Sequence, residues 1–437
     1  MTQLLDLIST RKATVGIVGQ GYVGLPLALV FNEAGFGVIG FDSDPAKIRA
    51  LTQGESYIKH IGAERVAAAV RGGCFRATGD FDELARCDAV LICVPTPLGQ
   101  HREPDLSFVI NSSREVAKRL RKGQLVVLES TTYPGTTDED VLPILEASGL
   151  RTPADFLLAF SPEREDPGNP DFHTRTIPKV VGGVNPESTK AAVALYSAAI
   201  DTVVPVSSAR VAESSKLLEN IFRSVNIALV NELKMTFDRM GIDVWEVIEA
   251  AKTKPFGFKP FYPGPGLGGH CIPLDPFYLS WKAAEYGMWT RFIELAGEIN
   301  THMPHYVVDK TVTALNEDGK SIRGAKVLVL GLSYKEDIDD DRESPSYEII
   351  ELLRDRGADV AYCDPFFPVA RPGRKHDIRL KSVDCSADAF ANYDAVLLST
   401  GHKQFREPAL YAKAKLIVDT RHAVRLPEGA VGRVVKA

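Results

Sequence analysis

The sequence predicts an α/β protein: two doubly wound α/β domains joined by a long central helix and an all-helical middle domain. Three observations carry this. Short apolar strands alternate with helical stretches through the first 206 residues, and the same alternation returns after residue 320. Between the two lies a stretch of helical periodicity in which Ala209–Met240 runs without a Gly or Pro. The domains are accordingly placed at 1–206, 207–305 and 320–437.

In the first block, Ala13–Val18 reads as a strand, Leu25–Ala34 as a helix and Gly37–Phe41 as a second strand ending at Asp42. Ala89–Val94, Leu125–Leu128, Phe156–Phe160 and Lys179–Gly182 read as further strands of a parallel sheet covered on both faces. The middle block adds helices over Asp243–Ala251, Phe277–Tyr286 and Phe292–His302 around a Gly/Pro-rich loop, Pro255–Pro276. A helix as long as Ala209–Met240 is expected at a subunit interface. In the last block Lys326–Leu330, Val360–Cys363, Ala395–Ser399 and Leu416–Val418 read as strands and Ser346–Arg356 as a helix.

A length of 437 residues fits two to four domains at roughly 100–200 residues each. Hydrophobic residues at 45% and charged residues at 25% are ordinary for a globular protein. The net charge of −6 argues against general nucleic-acid binding, which needs a basic face. No signal peptide is read in Met1–Lys12, and no apolar run reaches the roughly 18–20 residues that span a bilayer. The six cysteines form no CxxC pair, and no metal site is predicted. A reduced, cytoplasmic protein with mostly buried thiols is expected.

Gly19-Gln20-Gly21-Tyr22-Val23-Gly24 follows the first strand and opens the first helix, and Asp42 ends the second strand. Gly19 allows the tight turn, Gly21 the approach of a pyrophosphate, and Gly24 close helix packing. Asp42 can accept from both ribose hydroxyls and would repel a 2′-phosphate, so NAD is expected over NADP. Two more strand ends reach the same carboxyl edge: Cys93-Val94-Pro95-Thr96-Pro97, and Ser130-Thr131-Thr132. The second α/β block lacks this fingerprint and carries Gly331-Leu332-Ser333-Tyr334-Lys335, so it should hold a different ligand or none.

Far downstream, Gly268-Gly269-His270-Cys271-Ile272-Pro273 sets one cysteine in a glycine loop. A simple alcohol dehydrogenase needs no thiol; a thiolate that captures an aldehyde permits a second oxidation. Lys216 and Asn220 are four apart on one helix and share a face, where both can donate to an oxyanion. Asp275 can orient water or the lysine, and Glu163, after a strand, is a candidate base.

Taken together, Gly19–Pro26, Val94-Pro95-Thr96-Pro97, Ser130-Thr131, Pro162-Glu163, Glu213-x-x-Lys216-x-x-x-Asn220, Asn231-Glu232, Gly268–Cys271 and Gly331–Lys335 resemble the UDP-glucose/GDP-mannose dehydrogenase family over nearly the whole chain. The resemblance implies an NAD domain, a helical dimerising core and a C-terminal UDP-sugar domain. It implies Cys271 as nucleophile, Lys216 and Asn220 at the oxyanion, Asp275 holding a water or the lysine, and Thr131 and Glu163 flanking the reacting C6. Cofactor contacts are expected from Gly19, Gly21, Tyr22, Val23, Gly24, Asp42, Thr96, Ser130, Thr131 and Lys335. Substrate contacts are expected from Glu163, Arg164, Lys216, Asn220, Tyr262, Gly268 and Arg342.

The chain departs from the UDP-glucose and GDP-mannose branches at His270 and Leu274, where those commonly carry Ser and Lys. Its loops Phe258–Gly266 and Pro162–Asn169 resemble the branch acting on UDP-N-acetylhexosamines, above all the UDP-N-acetylglucosamine 6-dehydrogenases. UDP-N-acetylmannosamine and UDP-glucose enzymes are the alternatives. The resemblance implies four-electron oxidation of C6 to a uronate for surface polysaccharide or O-antigen synthesis, in a homodimer or larger homo-oligomer, with no membrane or nucleic-acid partner. Readings of other classes are a two-electron β-hydroxyacid dehydrogenase and a non-catalytic sugar-nucleotide sensor.

Overall fold

A computed structural model of the protein describes residues 1–58, 61–99, 103–164, 172–269, 272–373 and 375–437. The chain divides into two units, Met1–Glu219 with Phe277–Met288 and Asn220–Pro276 with Trp289–Ala437. The division falls inside the long helix, which spans Ala209–Met240 as its periodicity predicts.

The first unit holds an eight-stranded sheet in the order β3-β2-β1-β4-β5-β6-β7-β8. Its strands are β1 (Thr14–Val18), β2 (Gly37–Phe41), β3 (Phe75–Thr78), β4 (Ala89–Ile92), β5 (Leu125–Leu128), β6 (Leu157–Phe160), β7 (Lys179–Gly183) and β8 (Val203–Pro205). Every position of β4, β5 and β6 is buried, which is the mark of a sheet covered on both faces. Alternate residues divide between two cores: Leu91 and Val127 pack with Leu25, Leu29 and Phe31 on one side, Ile92 and Val126 with Val109 and Leu145 on the other.

One pairing departs from the all-parallel expectation, for β6 and β7 run antiparallel. A parallel neighbour would need a crossover, usually a helix. The described residues between them, 161–164 and 172–178, contain no helix, and β7 turns back along β6. This reversal puts Lys179, the first residue of β7, at the carboxyl edge of the parallel strands.

The second unit holds an all-parallel sheet in the order β10-β9-β11-β12-β13, formed by β9 (Lys326–Leu330), β10 (Asp359–Cys363), β11 (Ala395–Leu398), β12 (Leu416–Asp419) and β13 (Arg433–Lys436). β3, β8 and β13 were not expected. They are short and carry weak apolar signals, and sheet pairing decides them. The helix expected over Phe292–His302 instead covers Arg291–Glu317, with Pro304 inside it. An interior proline costs about 3 kcal/mol. Continuing the helix buries Val307, Val308, Ala314 and Leu315 against Val327, Val329 and Ile349. At roughly 1.5–3 kcal/mol for each large apolar side chain, that burial outweighs the proline.

The expectation that all cysteines are reduced is corrected: Cys363 and Cys385 form a disulfide, with Cα atoms 5.8 Å apart. Val383 donates to the carbonyl of Tyr362 at 2.9 Å, and Tyr362 bridges Ser382, so the chain returns alongside β10 and two distant cysteines meet. Spacing gave no sign of this. Among the described residues no helix is long and apolar enough to cross a membrane.

Candidate active site

The order of the first sheet reverses between β1 and β4, and ligands of open α/β sheets lie outside the carboxyl ends at such a point. Gly19 follows β1 there with φ +91°, and its N–H donates to the Phe41 carbonyl at 2.8 Å. A Cβ on Gly24 would stand 1.8 Å from the Gly19 carbonyl oxygen, so only glycine lets the helix Gly24–Glu33 start so close to the turn. A Cβ on Gly21 would meet nothing within 4 Å, so the space beside it is open for a phosphate to approach. Tyr22 is exposed and Val23 partly buried beside it. These features fit NAD: a free approach at Gly21 and a helix N-terminus behind it.

Asp42 is buried at the end of β2. Its Oδ2 accepts from Gln20 N–H at 2.9 Å and from Lys47 Nζ at 3.0 Å, and its Oδ1 from Asp44 N–H at 2.9 Å. Oδ1 keeps a lone pair for a ribose hydroxyl. Thr96 is buried, and its carbonyl accepts from the Tyr278 hydroxyl. The Ser130 hydroxyl accepts from Val94 N–H at 3.0 Å and donates to the Val94 carbonyl at 2.8 Å, which ties the ends of β4 and β5 together. Thr131, next along the chain, is half-buried at the same edge.

Glu163 and Lys216 come together in the first unit, Oε2 3.6 Å from Nζ, with both side chains largely buried. Arg164 turns to Glu219 at 2.7 Å and donates to the Pro178 carbonyl at 2.7 Å. Upstream on the long helix, buried Glu213 accepts from the N–H groups of Gly135 and Thr137 and from the Thr137 hydroxyl. Burial pushes its pKa up to about 7 against those hydrogen bonds.

In the second unit, buried Asn220 donates through Nδ2 to Asp275 Oδ2 at 2.6 Å. Gly268 lies so close to Tyr334 that an added Cβ would stand 2.5 Å from the tyrosine Cβ, and Gly269 N–H donates to the Arg342 carbonyl at 2.9 Å. The glycine loop and the Tyr334-Lys335 turn are therefore packed together. Cys271 and His270 lie outside the described residues. The Tyr262 hydroxyl donates to Glu249 at 2.6 Å and its ring stacks on Trp245, while Arg342 pairs with Asp340 at 2.6 Å.

The second sheet repeats the device of the first with the opposite outcome. Asp364 follows β10 as Asp42 follows β2, and accepts from Leu332 N–H at 2.5 Å and Ser333 N–H at 3.2 Å. Phe366 and Phe367 N–H groups and His402 Nε2 fill its other lone pairs. Burial raises its pKa, but the His402 ring and the backbone donors win, and it sits below the ordinary carboxylate value. With both oxygens taken by these donors, Asp364 has less left to offer a ribose diol than Asp42.

Sequence reasoning passed over several residues at these edges. Glu129 and Lys179 form a buried ion pair, with Tyr196 donating to the same carboxylate. Their signal was a charge at the end of each of two apolar strands. Arg421 donates to the Ser399 carbonyl at 2.8 Å, with its guanidinium where a Cβ on Gly264 would stand. Among the cysteines, burial pushes the Cys87 thiol up to about 12 and Cys93 well above its usual value. Cys74 is exposed and precedes β3 at the amino edge, away from the ligand edge.

Comparison with known proteins adds a family. Models of the UDP-glucose/GDP-mannose dehydrogenase family match its NAD binding domain at residues 13–200, its central domain at 210–302 and its UDP binding domain at 328–426. A UDP-N-acetyl-D-glucosamine 6-dehydrogenase of Pseudomonas aeruginosa is 37% identical over 91% of this chain and 92% of its own. An NDP-N-acetyl-D-galactosaminuronic acid dehydrogenase of Ralstonia nicotianae is 36% identical over 93% of this chain and 95% of its own. The solved UDP-D-ManNAc dehydrogenase of Pyrococcus horikoshii superposes with a TM-score of 0.87 at 32% identity, over 97% of this chain and 99% of that one.

Proposed function

The chain belongs to the UDP-glucose/GDP-mannose dehydrogenase family and is an NAD-dependent nucleotide-sugar 6-dehydrogenase; from that premise we propose that it oxidises C6 of UDP-N-acetylglucosamine to the uronate by a four-electron route through Cys271. The observation that carries the thiol's role is the fate of the other five cysteines. Cys87 and Cys93 are held as thiols by burial, Cys363 and Cys385 are paired, and Cys74 is at the wrong edge of its sheet. Cys271 alone combines a glycine loop with a following aspartate that an asparagine holds.

NAD, held by the Gly19–Gly24 turn and Asp42, supplies hydride acceptance when bound. Glu163, paired with Lys216, takes the C6 hydroxyl proton as hydride leaves C6. The Cys271 thiolate adds to the resulting aldehyde carbon and forms a thiohemiacetal. Lys216, and the amide hydrogen of Asn220 that Asp275 leaves over, donate to the oxyanion, each worth about 2–4 kcal/mol. Loss of a second hydride leaves a thioester. Glu163 or Asp275 deprotonates a water that attacks it, releasing the acid and returning the thiol. Two NAD are reduced per sugar.

The acetamido sugar is favoured by His270 and Leu274, and by relatives whose names specify different N-acetylhexosamines. NADH counted against uronate over UDP-glucose, UDP-N-acetylglucosamine, UDP-N-acetylgalactosamine and UDP-N-acetylmannosamine tests both parts. Two NADH per uronate, fastest with UDP-N-acetylglucosamine, is expected; one NADH per sugar would sink the double oxidation, and a faster epimer would reassign the substrate. Cys271→Ser should make no uronate. A homodimer is supported by Leu218, Phe222 and Leu229, which are exposed along one face of the long helix. Sedimentation at a monomer's mass would overturn that.

A further inference from the structure

Among the described residues of the first unit, the ion pair between Glu129 and Lys179 is the most deeply buried pair of opposite charges that the chemistry above does not use. Glu129 is 1% exposed, Lys179 7% and Tyr196 0%. Such a pair is weak evidence for stability, because its desolvation offsets its attraction and apolar replacements often do as well. Its geometry gives it another use. Glu129 follows β5, directly before Ser130-Thr131, and its two oxygens accept from Lys179 and from the Tyr196 hydroxyl. Lys179 also lies over the Tyr196 ring, 5.4 Å from its centroid, and gives a further hydrogen to the Pro162 carbonyl at 3.2 Å.

That carbonyl belongs to the peptide plane that enters Glu163. On the far side Arg164 donates to the Pro178 carbonyl at 2.7 Å. Glu163 therefore sits between two cross-ties, Lys179 to 162 and Arg164 to 178, where β6 has already ended. Glu163 and Lys179 line one cleft with Val23, at the start of the fingerprint helix, and Leu27 within it. The reversed β7 is what brings a lysine to this edge.

We propose that Lys179, held by Glu129 and Tyr196, is a positioning residue that fixes the backbone of Glu163 at the carboxyl edge of the NAD domain. The proposal rests on the reading of Glu163 as the group that moves the C6 and water protons. A misplacement of about 1 Å at such a group costs up to ~100-fold in rate.

The test is a double-mutant cycle on the full-length enzyme, with kcat for uronate formation, KM for NAD and thermal stability measured for Lys179→Met, Glu163→Gln and the two combined. Lys179→Met is expected to lower kcat by ~10–100-fold with KM for NAD within about twofold. The combined variant should be no slower than Glu163→Gln alone, because residues acting through one another do not add. Lys179→Arg should recover part of the loss. Multiplying losses, or wild-type kcat in Lys179→Met, overturns the proposal. Wild-type kcat in Glu163→Gln would instead overturn the reading of Glu163. Should Lys179→Met fail to fold, Tyr196→Phe, which removes one hydroxyl, enters the same cycle with the same outcomes, a smaller loss being expected.

Discussion

Gly21 and Gly24 stand three residues apart in one fingerprint, and the structure assigns them opposite kinds of necessity. A Cβ on Gly24 would lie 1.8 Å from the Gly19 carbonyl oxygen, 3.0 Å from its carbon and 3.3 Å from the Cys93 Cβ. An ordinary C···O contact is about 3.3 Å, so the helix Gly24–Glu33 would have to retreat by roughly 1.5 Å. Overpacking of this kind costs about 1–3 kcal/mol, and backbone on the far side puts it at the top of that range. Alanine's better helix propensity returns about 1 kcal/mol. Gly24→Ala should thus lose about 2 kcal/mol, or ~4–8 °C of Tm in a unit of this size, with no ligand present. Gly21→Ala meets nothing within 4 Å and should keep its apo stability within about 0.5 kcal/mol. Its cost appears only with NAD. At a hundred times Kd, NAD stabilises the wild type by about 2.7 kcal/mol; a 100-fold weaker site would gain only about 0.4 kcal/mol. Thermal shift with and without NAD separates the two. A full NAD shift in Gly21→Ala, or an unchanged apo Tm in Gly24→Ala, would refute the reasoning.

Three further outcomes are expected. Asp42→Asn should raise KM for NAD about tenfold or more, since a hydrogen bond to a charged group is worth about 1.5–3 kcal/mol; initial rates against NAD concentration check it, and an unchanged KM counts against a ribose contact. Glu213 has a folded pKa of about 7, raised above its unfolded value, so its contribution is fully present below about pH 4.5 and is lost as pH rises through 7. Relative to Glu213→Gln, the wild type should lose about 2–3 kcal/mol of unfolding free energy over that window, and parallel stability curves would show that the shift is absent. The Cys363–Cys385 link closes a separation of 22 residues, worth about 3 kcal/mol by chain entropy; denaturant unfolding with and without reductant should show that loss in the wild type and none in Cys385→Ser.

Much of the molecule was legible from the chain because its cues are local. Alternation of period two, helical period and turn residues are properties of neighbours in sequence, and they located the core strands of both sheets and the long helix to within a residue or two. The fingerprint around Gly19 is legible for the same reason: its turn, its open side and its helix start lie within six residues. Lys216 and Asn220 could be set on one helix face before any fold was known. What tertiary structure decided was each feature made by residues distant in sequence. The antiparallel β7 goes with a connection whose described residues hold no crossover helix, and with it comes the meeting of Lys179, Glu129 and Pro162. The edge strands β3, β8 and β13 exist because a neighbour offers them hydrogen bonds. Pro304 stays helical because Val307, Val308 and Leu315 have a sheet to bury against. Cys363 finds Cys385 because the loop after β10 folds back on it. Asp42 and Asp364 end equivalent strands with the same side chain; only their surroundings leave a lone pair for a ribose at one and close the other with His402 and four N–H groups.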